Sequence, residues 1–132
     1  MANGTIITNN GLKIVLNRAF KALPDYLAPS VFKVGTGTAT PAVTDTDLGT
    51  AVTIDADNIK NFATGYPILD ETNMQVTFRC ELLSTEANGN SLTEFGVFNE
   101  DTTELMFSRA VHTAISKTSS VEVSYIEKDK IQ

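Results

Sequence analysis

Across residues 74–82 the chain alternates without a break. Met74, Val76, Phe78, Cys80 and Leu82 are apolar, and Gln75, Thr77, Arg79 and Glu81 between them are polar. A period of two sends successive side chains to opposite faces of an extended backbone, so this stretch reads as a strand with one buried and one wet face. The same period flanks a polar, turn-like centre at 99–104 within LTEFGVFNEDTTELMFSRAV, residues 92–111, which is a hairpin signal. Val121, Val123 and Tyr125 alternate with Glu122 and Ser124 in a last strand. A sheet with one apolar face needs a second layer to cover it, and few gaps between these strands can hold a crossover helix, so most pairs are expected to be antiparallel.

One segment departs from this period. In GLKIVLNRAFKAL, residues 11–23, Leu12, Val15, Leu16, Ala19, Phe20 and Leu23 recur at helical spacing, and Lys13, Asn17, Arg18 and Lys21 fall elsewhere on the wheel. Asn9 and Asn10 offer an N-cap, and Pro24 ends the helix because the residue before a proline disfavours helical backbone. The three basic residues fit a membrane-surface helix, but the plainer reading is a helix whose apolar face packs on the sheet and whose lysines stay in water. Residues 31–34 and 51–54 read as strands, residues 5–8 as a short strand or an arm, and 60–70 stays unassigned, with Gly65 and Pro67 inside it. ANGN at 87–90 marks a turn, and the polar EKDKIQ at 127–132 reads as a fraying tail. The expectation is a mainly β chain: an antiparallel β-sandwich of about six strands with one N-terminal amphipathic helix packed on it. It forms a single domain over 1–132, with a flexible N-terminal arm and C-terminal tail.

Charge and composition narrow the function classes. A formal net charge of −6, with no basic run, disfavours nucleic acid as a partner. No stretch reaches the apolar length of a membrane span, and MANGTIITNNG lacks the charged and apolar regions of a secretory signal. The lone Cys80 has no disulfide partner and falls in a strand pattern, where a buried, inert thiol is expected. Cys80 and the single histidine, His112, would make a nucleophile pair only if the fold brought them together, and no third residue or oxyanion signature accompanies them.

GTGT at 35–38 lacks the lysine and helix of a phosphate loop, so its glycines are read as permitting a sharp turn. Asp45 and Asp47, like Asp55 and Asp57, have the spacing of calcium ligands, but no glutamate follows at position twelve and Asx-turns are the plainer reading. Tyr26 and Tyr66, beside proline-containing loops, are thin support for carbohydrate binding. No catalytic, cofactor-binding or metal-binding residue is assigned, and the chain is not expected to be an enzyme.

The hairpin holds the most specific pattern. A turn centred between Asp101 and Thr102 sets Glu94 opposite Arg109, Gly96 opposite Phe107 and Phe98 opposite Leu105. Opposite charges directly across a strand pair are favourable, the Phe107 ring would cover the bare backbone at Gly96, and a slip of one residue would lose both pairings. Glu94, Gly96, Phe98, Phe107 and Arg109 are therefore read as structural framework, with Glu94 and Arg109 as a partly buried clamp.

Two stretches carry a resemblance. FKVGTGTATPAVTDTDLGT, residues 32–50, is a strand, a Gly-Thr-Gly turn and a Pro-containing stretch that ends in Asp-x-x-Leu-Gly. LTEFGVFNEDTTELMFSRAVHTAISK, residues 92–117, is a Thr-Glu-Phe-Gly-x-Phe strand, a variable turn and Leu-Met-Phe-Ser-Arg-Ala. Together they resemble small β-rich structural proteins of tailed bacteriophage virions: tail, baseplate, fibre or neck modules. The resemblance implies a non-enzymatic virion component that assembles in the host cytoplasm through contacts with other virion proteins and with copies of itself, with no cofactor. Glu94, Gly96, Phe98 and Arg109 match framework positions in it. A capsid decoration protein and a host-surface or carbohydrate-binding adhesin are the alternatives.

Overall fold

The computed structural model describes residues 5–102 and 104–131. They fold as β1 (Thr5–Ile7), α1 (Asn9–Phe20), β2 (Pro29–Gly35), β3 (Lys60–Asn61), β4 (Ile68–Asp70), β5 (Gln75–Leu82), β6 (Asn90–Asn99), β7 (Met106–Lys117) and β8 (Val123–Lys130). A five-stranded sheet runs in the order β1-β7-β6-β2-β3, and a three-stranded sheet runs β4-β5-β8. Every strand pair is antiparallel, so the sandwich expected from the alternation is the fold.

The layers explain which strands alternate. On β5, Phe78, Cys80 and Leu82 are buried, and their neighbours are half-buried. Cys80 and Leu82 meet Phe32, Val34, Leu92, Phe95 and Ala110 of the larger sheet, Phe78 meets Val97 and Phe107, and Phe95 stacks on Tyr125 of β8 with ring centroids 4.4 Å apart. Strands β2 and β6 read instead as near-continuous buried runs. The larger sheet is covered on both faces: beyond the inter-sheet core, Leu48, Ala51 and Ile59 of the β2–β3 connection pack on Val31, Phe98 and Met106.

Several expectations are corrected. Residues 51–54 form no strand; Ala51 only bridges to Gly35, and the Val52 N–H donates to the Val34 carbonyl. The unassigned 60–70 stretch supplies β3 and β4. The polar end is no frayed tail: Glu127 to Lys130 complete β8, with Glu127 and Asp129 turned inward. Of the expected N-terminal arm, Thr5–Ile7 pairs with β7, and residues 1–4 lie outside the described residues.

The hairpin register also differs, because β7 carries extra residues. Glu94 lies across from Val111, Gly96 from Arg109, and Phe98 from Met106. Phe107 is the unpaired residue of a bulge between Ser108 and Met106. It turns into the inter-sheet core against Phe78 and Val97, so it cannot cover Gly96. Phe98 and Leu48 do that on the opposite face.

The helix is where the sequence places it, but its rotation is not. Thr8, not Asn9 or Asn10, is the N-cap: its Oγ1 accepts from the Gly11 N–H at 3.0 Å and donates to the Met106 carbonyl at 2.6 Å. The helix stops at Phe20, ahead of Pro24. Its buried residues are Gly11 and Ile14, while Leu12, Leu16 and Phe20 are exposed. The contact face is thus turned about a third of a turn from the apolar stripe.

Gly11 sets that contact, since a Cβ there would land on the Phe107 carbonyl oxygen. On a free helix surface, Gly11→Ala would stabilise by about 1 kcal/mol. Here the substitution is expected to have the opposite sign, a loss of about 1–3 kcal/mol from overpacking. Urea denaturation measures it, and a variant as stable as the parent would contradict this docking.

Candidate functional site

Residues 32–50 and 92–117 meet at one carboxylate. Glu94 is on the face of β6 turned away from the smaller sheet, under the 36–50 segment, and is 0% exposed. Its Oε2 accepts from the N–H of Gly37 at 2.7 Å and of Thr50 at 2.9 Å. Its Oε1 accepts from the Gly49 N–H at 2.9 Å and from Arg109 Nε at 3.1 Å and Nη2 at 2.9 Å. Arg109 Nη1 then donates to Asp45 at 3.0 Å. The expected Glu94–Arg109 pair is therefore formed, but diagonally across the strands, and it extends into the loop.

The local sequence follows from this arrangement. Three backbone N–H groups reach one carboxylate only if the chain passes very close to it. A Cβ on Gly37 would lie 2.5 Å from Glu94 Oε2, and one on Gly35 would strike the Thr50 carbonyl and the Glu94 side chain. The glycines of GTGT are thus required by close approach, and neither has the left-handed backbone of a sharp glycine turn. Burial alone would raise the Glu94 pKa. The N–H groups of Thr50, Gly49 and Gly37 and the Arg109 guanidinium outweigh it and hold the carboxyl below its ordinary value.

Lys33 repeats the device nearby. It is 5% exposed, pairs with Glu104 at 2.6 Å and Asp47 at 3.3 Å, and lies over the Phe98 ring. Burial opposes its charge, but the two carboxylates prevail and raise its pKa.

The remaining candidates do not converge on chemistry. Asp45 binds its own turn through the Ala42 N–H as well as Arg109, and Asp47 accepts from the Leu48 N–H. Asp57 accepts from the Asn58 N–H. Among the described residues, no three His, Cys, Asp or Glu side chains gather as metal ligands would. Cys80 is buried, and burial raises its thiol pKa well above the ordinary value. His112 turns its Nε2 to the Tyr125 hydroxyl at 2.9 Å. That contact lines an open hollow of about 560 Å³ beside Phe95 and Ile115. Tyr26 and Tyr66 are both half-buried, and Tyr26 has Lys13 over its ring.

The conspicuous surface is the outer side of α1 and the turn after it. Leu12, Leu16, Phe20, Leu23 and Leu27 are 55%, 64%, 83%, 82% and 52% exposed. Lys13, Arg18 and Lys21 accompany them, with Asp25 the one carboxylate of the segment, in a chain whose net charge is −6. The sequence signalled this stripe but not its exposure: the helix meets β7 through Gly11, against the Phe107 carbonyl, and through Val15 at the edge of the stripe, which packs with Phe107, Phe78 and Val97. No protein-family model, curated protein or solved structure matches this chain.

Removing one partner of a buried ion pair strands the other, at about 3–5 kcal/mol. Glu94→Ala is predicted to lose that much in urea denaturation, and Glu94 and Arg109 to couple by more than about 1 kcal/mol in a double-mutant cycle. Additive single losses would contradict the pairing. Because the folded pKa of Glu94 is depressed, its contribution is present above the ordinary glutamate value of 4.5 and is lost as the pH falls through the folded value. The difference in stability between the parent protein and Glu94→Gln should therefore shrink on acidification, and a constant difference from pH 7 to pH 3 would refute this.

Proposed function

We propose that this chain is a non-enzymatic structural component of a bacteriophage virion, working in the tail, baseplate or neck by repeated contact between subunits. The observation that carries the reading is the exposed apolar stripe on α1. A soluble domain rarely leaves a contiguous apolar patch of several large side chains in water unless another protein covers it. The partner we assign is a second copy of the chain. The helix segment is locally basic and the rest of the chain is acidic, so one copy offers its neighbour both apolar surface and opposite charge. Identical copies meeting in this way build closed symmetric assemblies.

Two further features support the reading. The stretches 32–50 and 92–117 resemble phage structural modules, and they are the two partners joined at Glu94, so the resemblance covers one physical unit. The buried charges of the site are all engaged within the chain: Glu94 with backbone N–H groups and Arg109, and Lys33 with Glu104.

Light scattering over a concentration series tests the reading on the parent chain and on Leu16→Glu/Phe20→Glu. The parent is expected to form a defined oligomer, and the variant to remain monomeric with stability within about 0.5 kcal/mol, as for surface positions. A parent chain that stays monomeric at every concentration would overturn assembly from its own copies.

A further inference from the structure

Strand β8 has an inner face of Val123, Tyr125, Glu127 and Asp129. The last two are carboxyls in the inter-sheet space, 1% and 0% exposed. Glu127 lies across from Phe78 and Asp129 from Val76. Glu127 Oε1 accepts from Ser108 Oγ of β7 at 2.9 Å, and Glu127 and Asp129 are within hydrogen-bond reach of each other. Among the described residues, Glu127 Oε2 and both Asp129 oxygens meet no donor.

The surroundings supply little compensating charge. From β5 the nearby titratable group is the Cys80 thiol, and from β8 it is the Tyr125 phenol. From β7 comes the Ser108 hydroxyl, and Arg109 is engaged by Glu94 and Asp45 on the opposite face. Lys128 and Lys130 point outward.

Two carboxylates in contact and out of water cannot both ionise, because each disfavours the charge of the other. One proton removes the repulsion and supplies a missing donor, an O–H from one carboxyl to the other. We propose that Glu127 and Asp129 share a single proton in the folded protein, and that this proton latches the C-terminal strand β8 to the larger sheet.

The latch is sensitive to alkali. Burial, followed by Asp129, raises the Glu127 pKa well above its ordinary value. A raised folded pKa gives stability that is complete below the unfolded value and is lost as the pH rises through the folded one. Glu94 acts in the opposite sense, so the fold is held from the acid side by one carboxyl system and from the alkaline side by the other. β8 is an edge strand with β5 as its one neighbour in the sheet, so loosening begins there.

The test is the thermal midpoint from pH 5 to pH 9 for the parent chain, Glu127→Gln and Asp129→Asn. An amide at either position donates to the remaining carboxylate without titrating, so it mimics the protonated pair. The parent midpoint is expected to fall as the pH rises, and that of either amide variant to fall less, so that the variants are the more stable forms at pH 9. Parallel profiles for all three proteins would overturn the proposal. So would a parent midpoint that calcium or magnesium chloride raises and EDTA lowers, which would assign the neutralising charge to a metal ion. If one variant fails to fold, the other reads the same latch from the opposite carboxyl.

Discussion

The Glu94 carboxylate fixes the long 36–50 segment to the larger sheet. It accepts three backbone N–H groups from that segment and two N–H groups from Arg109. Without these donors it would be a bare charge in a dry site; with them it is a satisfied anion whose pKa is depressed. What the arrangement yields is geometry more than net stability. A segment with little regular structure acquires a single path, and Leu48 is delivered onto Phe98 and Met106. The outer face of β2 and β6 is thereby covered, and the sheet has two cores instead of one.

Much of this was legible in the sequence, and the misses have physical causes. The alternation at 74–82 and the hairpin at 92–111 gave the strands, and the Glu94–Arg109 pair was visible as opposite charges in one hairpin. Its register was not, because a bulge turns both Phe107 and Ser108 inward, and no local pattern of apolar letters distinguishes that from a regular strand. The role of Gly35 and Gly37 was hidden for a different reason. Both are crowded by the Glu94 side chain, which lies 57 residues beyond Gly37 along the chain, whereas a sharp turn is the local explanation.

The helix and the last strand failed in opposite directions. The helix was read as buried along its stripe of Leu12, Leu16 and Phe20, because an apolar face ordinarily seeks the core. Gly11 allows a closer contact on another side; Val15 packs beside it, and Leu12, Leu16 and Phe20 stay exposed. The EKDKIQ end was read as solvated because its residues are charged. Its period of two continues that of Val123 and Tyr125, yet an inward carboxyl pair reads as a break in the apolar pattern. In both places the ordinary rule is broken by a contact that the local sequence does not display: Gly11 against the Phe107 carbonyl for the helix, and Ser108 on Glu127 for β8.

Amide hydrogen exchange at Gly37, Gly49 and Thr50 tests the central claim most directly, because those three N–H groups are the ones Glu94 holds. If the carboxylate fixes the segment, all three exchange as slowly as the neighbouring amides of β6, although they lie outside any strand, and all three speed up together in Glu94→Gln. Fast, independent exchange at the three sites in the parent protein would contradict it, and the segment would then be held by its other contacts, Leu48 on Phe98 and Met106 and Asp45 on Arg109.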